Sequence, residues 1–286
     1  MTSLRGRFIV ETHWLAEHLD APDLVVVDGS LHLPTTGRNA RAEYEAEHIP
    51  GALFFDIEDI ADDDNPLPHM LPSTTKFASK LKKMGIGDGT RVVVYDTPGL
   101  YSAARVWWML RVMGHEDVAV LNGGLKKWKA EGRPVTDEPT PRRTEKHFTP
   151  RFNAALVRDI DDMKAAVSSG TEQIADARSP GRFRGEEAEP RAGLRAGHMP
   201  DAANVHYATL LNDDGTLKSE ADLRAVFEAA GVSLAQPIVT SCGSGVTAGV
   251  LTLALAVLGQ TDVAVYDGSW VEWGHEASGG DVVTGS

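Results

Sequence analysis

An internal duplication is the feature that most constrains the fold of this 286-residue chain. The segment DVAVLNGGLKKW, Asp117 to Trp128, returns in the second half as DVAVYDGSWVEW, Asp262 to Trp273. In the same way RAEYEAEHIPGA, Arg41 to Ala52, returns as RAGLRAGHMPDA, Arg191 to Ala202. Because the repeated unit has the size of a whole domain, the pattern indicates two copies of one domain rather than a solenoid of short repeats.

Each half alternates short runs of β-branched residues with helical stretches. The runs are LVVVD, RVVVYD and VAVL in the first half, and QIADA, PIVTS and VAVY in the second. Apolar residues at helical spacing extend from Thr75 to Met84 and from Ser219 to Ala230, each opened by a Thr or Ser that can act as N-cap. The alternation predicts an α/β fold of two tandem domains, each a mainly parallel sheet flanked by helices.

The domain limits follow from composition. Around residues 132–150 the chain is rich in Pro, Thr and charge and lacks periodicity, as linkers do. We therefore expect an N-terminal domain over residues 1–133, a linker over 134–153 and a C-terminal domain over 154–286. Asp28 and Asp176, which end corresponding strands of the two halves, are expected to be structural because both copies carry them.

Charge and hydropathy exclude several classes of partner. The formal net charge of −13 argues against nucleic acid, whose binding needs a positive surface, but a local arginine pocket can still bind a small anion. The apolar run from Val246 to Leu258 is shorter than the roughly 20 residues of a membrane span, so we expect a buried helix and no membrane partner. The first residues lack the apolar segment of a secretory signal, so none is expected.

The single cysteine, Cys242, lies in the segment TSCGSGVTAG, between a predicted strand and a predicted helix. One cysteine forms no internal disulfide, which fits a reducing compartment and predicts a cytoplasmic protein without a multi-cysteine zinc site. Gly243 and Gly245 can adopt conformations that other residues resist, so backbone N–H groups can surround an anion there, helped by the helix N-terminus. This arrangement suits a nucleophilic thiolate.

Other interpretations of this loop remain open. The cysteine could be structural and buried. A phosphate-binding loop would need the lysine of GxxxxGK[ST], which the segment lacks. Cysteine phosphatases carry the motif Cys-x5-Arg, whereas the sixth residue after Cys242 in this chain is Ala248. The duplication helps to locate the chemistry, because the first-half counterpart of Cys242 is Asp96. Any thiol chemistry at this position of the fold therefore belongs to the second half.

Several motifs in order resemble the two-domain rhodanese superfamily, and within it the mercaptopyruvate branch. They are CGSGVTA with YDGSWVEW downstream, HIPGALFFDIE, LPHMLPS, GLYSAARVWWMLR and GRFRGEEAEPRAG, spread over nearly the whole chain. Thiosulfate-type members carry basic residues after the cysteine, where this chain has Gly243 and Ser244. The resemblance implies two rhodanese-like domains and sulfur transfer from 3-mercaptopyruvate through a persulfide, with no metal and no organic cofactor. A thiosulfate sulfurtransferase and a non-catalytic persulfide carrier are the alternatives.

The resemblance also assigns roles to residues. Cys242 is the nucleophile, and Ser244 and His69 with an acidic partner, Glu58 or Asp56, manage the substrate proton. A further set receives the anionic substrate and its adduct: Arg182, Arg191, Gly243, Gly245, Val246 and Thr247. Two arginines suit a carboxylate because each guanidinium can donate two parallel hydrogen bonds. The expected partners are 3-mercaptopyruvate and a thiol acceptor such as thioredoxin or glutathione.

Overall fold

The computed structural model describes residues 4–285, which pack into two compact units. The first unit contains the described residues up to Asp63, together with Leu71–Asn153 and Leu211–Leu217. The second contains Asp64–Met70, Ala154–Leu210 and the described residues from Lys218 onward. Each unit therefore includes a short segment from the opposite half of the sequence. The domain limits predicted above, with a linker over 134–153, stay a prediction.

The first unit is built on a five-stranded sheet of order β1-β5-β4-β2-β3. Its elements are α1 (Leu4–Phe8), β1 (Ile9–Val10), α2 (Thr12–His18), β2 (Leu24–Asp28), α3 (Ala40–Ala46), β3 (Leu53–Phe54), α4 (Ile57–Ile60), α5 (Thr74–Lys83), β4 (Arg91–Tyr95), α6 (Ala103–Val112), β5 (Val118–Leu121) and α7 (Gly124–Ala130). A 3-10 turn covers Pro34–Thr36.

The second unit repeats this plan, with a sheet of order β6-β10-β9-β7-β8. Its elements are β6 (Val157–Arg158), α8 (Ile160–Ser169), β7 (Gln173–Asp176), α9 (Pro180–Arg184), β8 (Ala203–Asn204), α10 (Glu220–Ala229), β9 (Ile238–Ser241), α11 (Ala248–Val257), β10 (Ala264–Tyr266) and α12 (Ser269–Trp273). Further 3-10 turns cover Ala154–Leu156, Tyr207–Leu210 and Glu276–Ser278.

The two sheets confirm the predicted α/β class. Their strand orders correspond position by position, and every pairing within them is parallel. Helices cover the faces of such sheets, so the central strands read as continuous apolar runs. The carboxyl ends of parallel strands meet along one edge, which is where this class of fold binds ligands. In the second unit that edge carries the end of β9, and Cys242 follows it directly.

The predicted first residue of a helix is correct in the second unit and wrong in the first. Ser219 caps α10 as predicted, because its side chain accepts from the Asp222 N–H at 3.2 Å. The prediction that the matching helix of the first half opens at Thr75 is wrong. Ser73 is the cap there, since its hydroxyl accepts from the Lys76 N–H at 3.2 Å, and α5 begins at Thr74.

The core of each unit is dominated by tryptophan and aliphatic side chains. Trp128 and Trp273 occupy matching positions, both are buried, and each indole donates to a backbone carbonyl of a following segment. All ten residues of α11 are buried, so the expected buried helix is confirmed. Across residues 4–285, no helix combines the length and the apolar character that a bilayer crossing requires.

Candidate active site

The cysteine loop joins β9 to α11 and is fixed to the start of α12 by backbone hydrogen bonds. The Cys242 N–H donates to Ser269 Oγ at 3.2 Å, and the Cys242 carbonyl accepts from the Trp270 N–H at 3.0 Å. The next carbonyl, that of Gly243, accepts from Val271 at 2.9 Å. Cys242 is only 2% exposed. The sulfur therefore belongs to a rigid turn and not to a mobile surface loop.

Ser269 is a part of this site that the sequence did not reveal. Its hydroxyl donates to the Tyr266 carbonyl at 2.8 Å while accepting from Cys242. Its φ of 49° lies in the left-handed region, which a residue other than glycine adopts only at a cost. The strained conformation brings the hydroxyl within hydrogen-bond distance of the Cys242 N–H. The duplication carried a weak signal of it, because Ser269 aligns with Gly124, whose φ of 54° is also left-handed.

The two glycines of the loop serve different purposes. Gly245 has a φ of 74°, as the predicted turn requires. Gly243 lies outside the left-handed region, so the expected need for conformational freedom applies to Gly245 alone. The absence of a side chain matters at Gly243 because a Cβ there would lie 2.9 Å from Nη2 of Arg182. One glycine shapes the turn, and the other admits a guanidinium to the loop.

The first unit shows what this turn does with an anion. The Asp96 carboxylate accepts backbone N–H groups from Gly99 at 3.0 Å, Tyr101 at 2.7 Å, Ser102 at 2.8 Å and Ala103 at 2.8 Å. These four donors form an anion-binding nest at the N-terminus of α6.

The cysteine loop is the second copy of this turn. Gly99 and Gly245 each lie three residues after the acidic or thiol residue, and both have positive φ. The first-unit turn is one residue longer, since α6 begins at Ala103 and α11 at Ala248. The same turn thus holds the carboxylate of Asp96 in the first unit and the sulfur of Cys242 in the second.

Arg182 approaches the cysteine loop from the end of α9. Its Nε and Nη2 donate to one oxygen of Glu189, at 3.1 and 2.5 Å. The other Glu189 oxygen accepts from Nη1 of Arg178 at 2.8 Å. Arg178 in turn pairs with Asp176 at 2.6 Å, and neither of these two side chains is exposed. Arg182 is 18% exposed and is the only member of this chain of charges with appreciable solvent access.

Glu189 and Arg178 are not among the functional residues that the sequence predicts. Both belong to the part of the chain around GRFRGEEAEPR, where the acidic residues look like a solvated turn. A weak signal exists in the duplication, because Asp176-Ala177-Arg178 matches Asp28-Gly29-Ser30. Only the second copy places a cation two residues after the buried aspartate. The Arg178 guanidinium also stacks over the Trp270 ring at 4.1 Å, which links it to the helix that anchors Cys242.

Arg191 and His69 are brought together in the second unit. Arg191 Nη2 lies 3.3 Å from His69 Nε2. Since a guanidinium can only donate, Nε2 accepts this hydrogen bond and the ring proton belongs to Nδ1. His69 is 7% exposed and has a φ of 65°. A buried, neutral histidine in the left-handed region is held there by its surroundings and is unlike the solvent-facing side chain usual in loops.

The remaining predicted residues are placed as follows. Ser244 is buried in the cysteine loop, and Val246 and Thr247 are buried where it enters α11. Asp56 caps α4 in the first unit, accepting from the Asp59 N–H and from Arg41, both at 3.2 Å. Glu58 lies in the first turn of α4 and is exposed. The proposed link from Ser244 through His69 to Asp56 or Glu58 stays a prediction.

Comparisons with known proteins identify the family to which this fold belongs. A family model described as Rhodanese-like domain matches residues 11–131 and 159–276. The human 3-mercaptopyruvate sulfurtransferase is 42% identical over 287 residues, covering 97% of this chain and 95% of the human protein. The thiosulfate sulfurtransferase of Bos taurus is 44% identical over 278 residues, covering 95% of this chain and 93% of the bovine protein. The crystal structure of SseA from Escherichia coli, described among 3-mercaptopyruvate sulfotransferases, matches with a TM-score of 0.84 and 42% identity over 92% of this chain and 98% of that one.

Proposed function

The chain belongs to the rhodanese family, with two copies of its domain, and we propose that it transfers the sulfur of 3-mercaptopyruvate to a thiol through a persulfide on Cys242. The observation that carries the mechanism is the position of Cys242 in the second copy of a turn whose first copy holds a carboxylate with four N–H donors. An anion on the sulfur meets the same kind of turn at a helix N-terminus.

The first half-reaction is a displacement at sulfur. The Cys242 thiolate attacks the thiol sulfur of 3-mercaptopyruvate, and a new S–S bond forms as the carbon–sulfur bond breaks. The electron pair of that bond remains on pyruvate, which leaves as its enolate. A proton then converts the enolate to pyruvate, while Cys242 retains the transferred sulfur. No oxidant and no cofactor enter this balance.

Arg182 and Arg191 receive the substrate carboxylate. Glu189 holds Arg182 in one plane, so the guanidinium edge that Glu189 does not use is preorganised for an incoming anion. Arg191 donates to His69 in the structure, and a carboxylate competes for the same donor because charge-assisted hydrogen bonds are stronger. Substrate binding therefore releases Nε2 of His69 as a proton acceptor.

His69 then has a defined part in moving the proton. A neutral imidazole with its proton on Nδ1 can take a proton at Nε2, either directly or through Ser244, and can return it to the enolate. The resemblance implies Glu58 or Asp56 as the acidic partner of this path, by analogy with a serine triad.

The second half-reaction returns Cys242 to its thiolate. A small thiol such as glutathione, or the exposed thiol of a protein such as thioredoxin, removes the outer sulfur. A compartment that keeps such thiols reduced, such as the cytoplasm, suits this step.

The decisive experiment supplies 3-mercaptopyruvate and cyanide and measures pyruvate and thiocyanate. We expect both products from the native protein and neither from Cys242→Ser. Ser241→Ala is the matched control, since the buried Ser241 hydroxyl has no hydrogen-bond partner among residues 4–285 and its loss should leave turnover intact. Full activity in Cys242→Ser would refute the mechanism.

Thiosulfate is a second candidate donor, favoured by the 44% identity to the bovine thiosulfate sulfurtransferase. The charge of the site argues against it. Gly243 and Ser244 add no cation, and the positive charge of Arg182 is already opposed by Glu189, so a dianion depends mainly on Arg191 for compensation. A kcat/KM that is much higher with thiosulfate than with 3-mercaptopyruvate would reverse the assignment of the donor.

A further inference from the structure

A pocket of about 420 Å³ in the second unit has no part in the mechanism above. Leu67, Ile160 and Val271 supply apolar walls, and Lys164 and Glu272 supply opposite charges. A cavity of this size, in which Asn65, His275 and Ser278 add further polar groups to the lining, falls within the range of small-molecule sites. Neither Arg182 nor Arg191 lines it, so it is separate from the place assigned to the donor carboxylate.

Two chain connections join this pocket to the candidate active site. Leu67 belongs to the segment that carries His69, two residues further on. Val271 donates its N–H to the Gly243 carbonyl at 2.9 Å, so one wall of the pocket is hydrogen-bonded to the cysteine loop. The pocket wall at Val271 is therefore in direct contact with the residue that follows Cys242, while neither arginine contributes to the lining.

The two-stage reaction needs such a place. Because Cys242 is 2% exposed, a thiol that attacks its persulfide must be positioned close to the cysteine loop. Pyruvate must leave before the acceptor reacts, and the arginines select a donor carboxylate. A separate pocket allows the body of the acceptor to be recognised by other groups.

The charges of the pocket indicate which acceptor it fits. Glu272 is half-buried and accepts from Tyr266 Oη at 2.8 Å. Burial raises the pKa of this carboxyl, with Asp159 and Asp267 adding to the effect, and the Lys164 ammonium opposes it. A ligand ammonium beside Glu272 would relieve this accumulation of negative charge, while the Lys164 ammonium can donate to a ligand carboxylate.

We propose that this pocket binds the amino-acid part of a small aminothiol acceptor, with Glu272 facing its ammonium and Lys164 its carboxylate. This inference rests on the proposed function. The acceptor thiolate attacks the outer sulfur of the Cys242 persulfide and forms a new S–S bond. The S–S bond to Cys242 breaks, the cysteine leaves as a thiolate, and the acceptor departs as its own persulfide.

The test isolates this second half-reaction. The full-length protein is loaded with 3-mercaptopyruvate, freed of donor by rapid gel filtration, and mixed with a single thiol. Loss of one sulfur from the protein is followed by intact mass. The thiols are cysteine, which has both charges, cysteamine, which has only the ammonium, N-acetylcysteine, which has only the carboxylate, and 2-mercaptoethanol, which has neither. Each variant is compared with the native protein on the same thiol, so differences in intrinsic reactivity cancel.

Lys164→Met should lower the rates with cysteine and N-acetylcysteine relative to 2-mercaptoethanol by roughly tenfold, the effect of one charge-assisted hydrogen bond. Glu272→Gln should do the same for cysteine and cysteamine. Lys83→Met, at an exposed lysine of the first unit, is the matched control and should change no ratio. Lys164 is only partly buried in α8, so its variant tests the proposal even if Glu272→Gln does not fold.

Equal changes for all four thiols, or none in either variant, would overturn the pocket assignment. Failure of the proposed function gives a different result, because no persulfide would then form on Cys242 before any thiol is added. The two ideas are therefore refuted by separate measurements in the same experiment.

Discussion

Glu189 binds Arg182 through a single carboxylate oxygen, while its other oxygen binds the fully buried Arg178. The Glu189 side chain is 4% exposed, so both ion pairs are shielded from water. A shared carboxylate of this kind fixes the plane of the outer guanidinium relative to the inner one. Glu189 is therefore a positioning residue for Arg182, which we propose binds the substrate carboxylate.

Glu189→Gln should raise the KM for 3-mercaptopyruvate roughly tenfold, because Arg182 loses a charge-assisted partner that fixes its orientation. The kcat should change less, since the sulfur chemistry does not involve Glu189. Steady-state kinetics with cyanide as acceptor separates the two constants. Glu186→Gln is the matched control, as Glu186 pairs with Arg184 at an exposed position and such pairs contribute little. An unchanged KM in Glu189→Gln would show that Arg182 needs no such support.

Gly243→Ala should lower kcat/KM for 3-mercaptopyruvate about tenfold to a hundredfold. The added Cβ would lie 2.9 Å from Arg182 Nη2, so the guanidinium must move away from the cysteine loop. The test is a double-mutant cycle with Arg182→Ala. Once the arginine side chain is gone, Gly243→Ala should cost little further activity. Additive losses would mean that the methyl group acts on the loop and not on Arg182.

Arg191→Lys should raise KM more than it lowers kcat, because lysine keeps the charge but lacks the planar fork that suits a carboxylate.

His69→Asn should mainly lower kcat, by on the order of a hundredfold, because the proposed mechanism makes His69 the group that moves the proton. Asparagine is chosen since it tolerates the left-handed φ of 65°.

These two residues are 3.3 Å apart, so the double variant should lose less activity than the two single losses combined. Far-UV circular dichroism of each variant checks that the fold survives. If His69→Asn changes KM alone, His69 only orients Arg191 and the proton moves by another path.

Much of this architecture could be predicted because the strand and helix patterns are visible in the sequence and occur twice. Runs such as RVVVYD and PIVTS become the central strands β4 and β9, and Cys242 follows β9 as expected. The pairing of Glu189 with two arginines is not encoded in this way. It depends on which side chains of a turn fold inward, and the periodicity of a short polar segment does not determine that. Ser269 was missed for a related reason, since its conformation is imposed by its neighbours.

Asp28 and Asp176 show how the same duplicated residue acquires different partners. Asp176 has Arg178 as its partner, whereas Asp28 accepts from the Ser30 N–H at 2.8 Å and lies near Asp96. Burial, with a smaller effect from Asp96, raises the pKa of Asp28 from 3.8 to about 6 despite its hydrogen bonds. The folded state therefore binds this proton more tightly than the unfolded state. Its stabilising contribution is complete below about pH 4 and is lost as the pH rises through about 6.

Asp28→Asn should consequently stabilise the first unit at pH 7.5, by up to about 3 kcal/mol, and change its stability little at pH 4. Asp176→Asn is the matched control and should act in the opposite direction, since it leaves Arg178 buried with a weakened partner, at a cost of about 3–5 kcal/mol. Urea unfolding of each variant against the native protein at both pH values measures the differences. A loss of stability in Asp28→Asn at pH 7.5 would mean that Asp28 is charged in the folded protein and that its charge is well compensated. Both copies would then stabilise the buried aspartate as a carboxylate.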